Sequence, residues 1–178
     1  MLNWAKAHRA VAAAIAIAAL VLFGLGVYWF GPQRLFLDRE VAEALPTPTP
    51  TATDPSADEE PLDEPSGVEE LTAGRFRSLE HGTTGLARIV ELEDGSRFVR
   101  LEDLDTSDGP DLRIYLTDQP ISDDWHVWDD GEYVDLGALK GNIGDSNYEI
   151  PRDLDLSRYE TVVVWCRRFT VGFGVAPI

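Results

Sequence analysis

The chain has 178 residues, 32 of them acidic and 15 basic, and its apolar residues are spread unevenly along it. So acidic a balance excludes a nucleic-acid binder, because a phosphate backbone is held by Lys and Arg. A single cysteine excludes an internal disulfide, and with no Cys-x-x-Cys-His it excludes covalent c-type haem attachment.

Residues 10–30, AVAAAIAIAALVLFGLGVYWF, run 21 positions without a charge. At the helical rise they reach roughly 30 Å, the thickness of a bilayer core. The alternative for such a run is a cleaved signal peptide. Against it, the run is long, and bulky Tyr28, Trp29 and Phe30 stand where small residues would prepare a cleavage site. Tyr28 and Trp29 suit the membrane interface instead. The reading is a short cytoplasmic segment, 1–9, and a single-pass transmembrane helix, 10–30. Lys6 and Arg9 before the helix are matched by Arg34 and Arg39 after it, so basic residues do not orient it. From Val41 onward there are 30 acidic and 11 basic residues, a net charge of −19. An anionic inner leaflet repels such a segment, which places the C-terminal domain outside the cytoplasm on a plasma-membrane anchor.

Residues 31–70 read as a juxtamembrane segment and a disordered linker. The part from Val41 holds six prolines and nine acidic residues, with almost nothing able to enter a core. Extended polyproline at about 3.1 Å per residue would give it a reach of roughly 90 Å. Docking of a basic partner on these charges is the alternative.

From 71 to 178 the pattern changes to short runs rich in Val, Ile, Tyr, Phe and Trp, punctuated by Gly, Asp and Asn. Strands are expected at 75–79, 85–92, 97–102, 112–117, 133–136, 148–150, 162–166 and 170–175. The fold class is all-β, an antiparallel sandwich or barrel of about eight short strands in one domain. Glu93-Asp94-Gly95-Ser96 is a hairpin signal. Its register puts Leu86, Val90 and Leu92 on one face, with Arg88 the exception, and continues that apolar set with Val99 and Leu101.

Candidate sites are few. In 162–168 both faces are apolar as far as Cys166, which predicts a central strand covered on both sides with the thiol near its end. Cys166 is either core filling, as free cysteines often are, or a redox group. In the second case Arg168 would share its face if the strand continued, and a nearby cation favours the thiolate. Ligation of haem by the sulfur would call on His81 or His126. Asp103, Asp105, Asp108 and Asp111 miss calcium-loop spacing and read as a turn at Asp108-Gly109-Pro110, so no metal site is assigned. Trp125, His126 and Trp128, set among Asp123, Asp124, Asp129 and Asp130, form either a solvated loop or a partner-binding surface.

One ordered series of residues is specific: Gly109-Pro110-Asp111-Leu112, Tyr115-Leu116, Asp135-Leu136-Gly137, Leu139-Lys140-Gly141-Asn142, Gly144, Asn147-Tyr148, Pro151, Trp165-Cys166, Phe169 and Phe173-Gly174. It resembles the DM13 domain over 74–178. The resemblance implies electron transfer at a cell surface, with Cys166 as a bare redox thiol or as a ligand for a prosthetic group such as haem, and a redox or envelope partner. The reading from another class is a non-catalytic module that binds envelope carbohydrate or protein through 125–128.

Overall fold

The computed structural model describes residues 8–30, 38–46 and 67–178, and the chain divides into two units, Met1–Leu37 and Asp38–Ile178. In the first, α1 (Arg9–Phe30) is a 22-residue helix. Its apolar side chains are exposed all round, Leu20 at 70% and Phe23 at 72%. With no polar face to turn to water and every interior backbone bond satisfied within the helix, α1 is long and apolar enough to cross a membrane, and equally to serve as a signal sequence.

The second unit is a sandwich of two five-stranded sheets, not a closed barrel. Its strands are β1 (Glu40–Ala42), β2 (Val68–Arg75), β3 (Arg77–Ser78), β4 (Thr83–Leu92), β5 (Arg97–Thr106), β6 (Leu112–Thr117), β7 (Tyr133–Ala138), β8 (Ile143–Ile150), β9 (Thr161–Cys166) and β10 (Val171–Pro177). One sheet has the order β1-β8-β5-β4-β2 and the other β3-β10-β9-β6-β7. All ladders are antiparallel except β1 with β8. Between the sheets lies the main core: Ala87, Ile89, Val99, Leu101, Tyr148 and Ile150 from one side, and Leu112, Ile114, Val162, Val164, Cys166 and Phe173 from the other.

Two expectations are corrected. The β4–β5 register differs, because Ile89 lies opposite Val99 and Ala87 opposite Leu101. The core face of β4 is therefore Ala87 and Ile89, and Arg88 is no exception on its own face: it points outward between Glu70 and Glu102. The cause is the turn. Leu92 N–H donates to Ser96 O at 2.8 Å, and within 93–96 only Gly95, at φ 75°, takes the left-handed conformation. The loop is longer than a two-residue Asp-Gly turn, which shifts the parity of everything after it.

The linker boundaries also differ. Glu40–Ala42 is an edge strand lying within the stretch read as linker, and the other edge strand, Val68–Arg75, begins three residues inside it. The Pro-rich 47–66, which lies outside the described residues, joins two strands of the same sheet. The expected 90 Å reach rests on these residues and so lies outside the described ones.

Candidate functional site

The β9 sequence TVVVWC has four β-branched residues in a row, stiff at χ1 and suited to a pleated surface buried on both sides. It lies between β10 and β6, and all six residues are buried. The faces separate by parity: Val162, Val164 and Cys166 enter the main core, while Val163 and Trp165 enter a second cluster on the outer face of the sheet. That second cluster is Tyr115, Trp128, Val163, Trp165 and Val175. The thiol ends the strand, opposite Leu112 on β6 and Val171 on β10.

Because Val171 pairs with Cys166, the chain reverses over 167–170, all four residues exposed. Thr170 turns it with φ 49°, a conformation that costs a β-branched residue strain. The strand ends at Cys166, so the condition under which Arg168 would share the thiol's face is not met. Arg167 instead holds Asp111, Nε to Oδ2 at 2.9 Å, and its backbone N–H donates to Asp111 O at 3.0 Å. The turn is thus stitched to the start of β6.

Cys166 is 0% exposed. Burial pushes its thiol pKa up, against the pull of backbone hydrogen bonds from Phe169, Arg168 and Asp111. Burial is the larger effect and keeps the thiol neutral, while the backbone N–H groups offset it only in part.

Tyr115, on the other face of the sheet, is raised to about 12 by burial, with Asp135 and Tyr133 adding to it. Both shifts favour the neutral form in the fold. Their stabilising contribution is therefore complete below the ordinary thiol value of 9.0 and is lost as pH climbs through the raised folded values. Denaturant midpoints measured against pH are expected to fall above pH 9.0, and to fall less steeply for Cys166→Ala.

The segment 118–132 lies across the outer face of this sheet. Its base is closed by Asp118 N–H donating to Glu132 O and Glu132 N–H to Asp118 Oδ2, each at 3.0 Å. Trp128 is its plug. The ring is 0% exposed and packs into the cluster with Trp165, over Gly172, where a Cβ would stand 2.9 Å from Trp128 Nε1. Trp128 is thus a core residue rather than a partner contact, correcting that expectation, whereas Trp125 is 44% exposed. The loop reaches the turn beyond Cys166 as well. Trp125 O accepts from Gly172 N–H at 2.7 Å, and His126 Nδ1 lies 2.5 Å from Thr170 O. A carbonyl only accepts, so Nδ1 carries the proton.

The structure therefore brings His126 to the turn that covers Cys166, as a clamp on backbone. His81 is placed elsewhere, in contact with Glu80 and with its ring centroid 4.0 Å from that of Phe173. Haem does not fit this arrangement. Among the described residues the sulfur is enclosed by core side chains and lines neither of two open clefts, of about 410 and 400 Å³, and both histidines are engaged with other partners. Among the described residues no three His, Cys, Asp or Glu are grouped to hold a metal. Asp108 is 4% exposed and is held by the Arg39 guanidinium at 3.0 Å and by Gly109 N–H at 2.8 Å.

Sequence reasoning missed the Tyr133–Tyr115–Trp165 stack, with centroid separations of 4.8 and 6.2 Å. It also missed the network around Arg39, Arg100 and Asn142. The signal for that network was Lys140-Gly141-Asn142, Gly144 and Asn147, which the sequence series contained without their partners Arg39 and Glu43.

Compared with known proteins, residues 75–178 match a family model described as electron transfer DM13. Neither curated proteins nor solved structures give a match.

Proposed function

The chain belongs to the DM13 family, and on that premise we propose a plasma-membrane protein, anchored by α1, whose domain lies outside the cytoplasm and performs electron transfer or thiol redox chemistry at Cys166. One observation carries the reading: the sulfur, 0% exposed, ends β9 immediately before an exposed four-residue turn, 167–170, and backbone N–H groups of Arg168 and Phe169 in that turn pull its pKa down against burial. With the turn closed, burial keeps the thiol protonated and dry. Chemistry begins when the turn lifts. The proton passes to water, the amides stabilise the thiolate, and the thiolate attacks a partner's disulfide. A mixed disulfide forms and the partner's other sulfur leaves as a thiolate. The net charge of −19 from Val41 onward supports the outside location.

His126 sets how often the turn lifts, through its bond to Thr170 O. Losing one such bond costs about 1 kcal/mol, so His126→Ala is expected to raise the rate of Cys166 alkylation in the native protein roughly fivefold. Equal rates in the two proteins, with reaction only on global unfolding, would leave Cys166 inert. The second reading, a surface module for envelope carbohydrate or protein, would then take its place. It is supported by the exposed Trp125 on a loop pinned at Trp128.

A further inference from the structure

We propose that the edge of β8 is a peptide-acceptor site, and that its occupant is the chain's own 38–46 segment, held firmly enough to tether the domain without the 47–66 connection. This goes beyond the redox reading and does not depend on it.

The groove is cut for a main chain. At Gly141 a Cβ would stand 2.5 Å from Arg39 O, and at Gly144 (φ 99°) 2.1 Å from Val41 O, so any side chain at either position collides with the strap's backbone. The main-chain bonds are those of strand addition: Glu40, Val41 and Ala42 lie in parallel register with Ile143, Gly144 and Asp145, and Glu43 N–H donates to Asp145 O at 3.0 Å.

Side chains then read the segment. Asn142, 0% exposed, accepts from Arg39 N–H at 2.7 Å and donates to Asp38 Oδ1 at 3.0 Å. Asp108 takes the Arg39 guanidinium at 3.0 Å, with its own side chain only 3% exposed. Arg100, 6% exposed in its side chain, donates to Glu43 O at 2.6 Å. The Glu43 carboxylate accepts from Lys140 Nζ at 2.8 Å and from Asn147 N–H at 2.8 Å, and Asn147 Nδ2 donates to Ala44 O at 2.8 Å. An empty groove would strand Asp108 without its cation and Arg100 without one acceptor, and an unpaired buried charge is costly.

The groove residues fall inside the family match, 75–178, and the occupant falls outside it. A site built into the family domain is thus filled by a segment peculiar to the chain's N-terminal side. With the segment seated, the connection from α1 to the folded unit is 31–37. With it displaced, that connection would be 31–66.

The test uses the full chain in detergent micelles, immobilised by an N-terminal affinity tag, with a site-specific protease sequence inserted within 47–66. After cleavage the C-terminal piece is expected to stay on the resin, to be displaced by excess free peptide of sequence 38–46, and to ignore a scrambled peptide. Arg39→Glu combined with Glu43→Lys should lower retention by about tenfold or more, since each substitution removes charge-assisted bonds. Neither touches the main core, so the released piece should keep its native tryptophan fluorescence. Release of the unsubstituted piece as fast as the double variant, or retention that the 38–46 peptide does not compete away, would overturn the proposal.

Discussion

Trp165→Ala is expected to cost about 3–5 kcal/mol of unfolding free energy, the range for removing a large buried aromatic, measured by denaturant titration. The side chain is 0% exposed and joins three strands and the crossing segment, since its cluster draws Tyr115 from β6, Val163 from β9, Val175 from β10 and Trp128 from 118–132. A cavity there cannot refill easily, because a strand bonded on both sides holds its position while the cluster relaxes. Trp165→Phe should behave differently. Neither the Trp165 nor the Trp128 indole N–H has an acceptor among the described residues, and a buried donor without a partner costs about 1–3 kcal/mol. Phenylalanine removes that penalty while filling most of the space, so its net loss should stay below about 1.5 kcal/mol. A Phe variant as damaging as Ala would mean that the indole nitrogen holds an interaction the geometry does not show.

The second large effect concerns the reactivity of Cys166 itself. The thiol is enclosed and its pKa is raised by burial, so a disulfide reagent in solution reaches it only through an opening of the turn. Local openings in a packed region cost several kcal/mol, and about 4 kcal/mol corresponds to roughly a thousandfold slowing against the unfolded chain. A redox role requires that this opening be local. The exposed turn is held by His126 Nδ1 on Thr170 O at 2.5 Å, Arg167 N–H on Asp111 O at 3.0 Å and Arg167 Nε on Asp111 Oδ2 at 2.9 Å. None of these bonds belongs to the β9–β6 or β9–β10 ladder.

What could be read from sequence followed from local chemistry. The strand runs, the sandwich class, α1 and the two-sided burial of β9 rest on side-chain periodicity and β-branched content, which act within a few residues. What escaped depends on distant partners. Glu40–Ala42 is three residues beside a proline-rich acidic stretch, and only pairing with Ile143–Ile150, a hundred residues on, makes it a strand. Trp128 sits among Asp124, Asp129 and Asp130, so its neighbours read as a solvated loop while its ring fills the outer cluster. The Val99 register was lost through one extra turn residue. At the site, Cys166 was found both as the lone thiol and as the end of its strand. The break between strands at 166 and 170 was expected, but not that Thr170 would make the reversal with φ 49°.

The most direct test is to incubate the folded full chain with oxidised glutathione and follow the adduct by intact mass and peptide mapping. The expected result is one mixed disulfide, at Cys166, formed in a chain that keeps its native spectrum. Its rate should be roughly a thousandfold below that in denaturant. Adduct formation that appears only as the whole domain unfolds would contradict the account and leave Cys166 as a core residue.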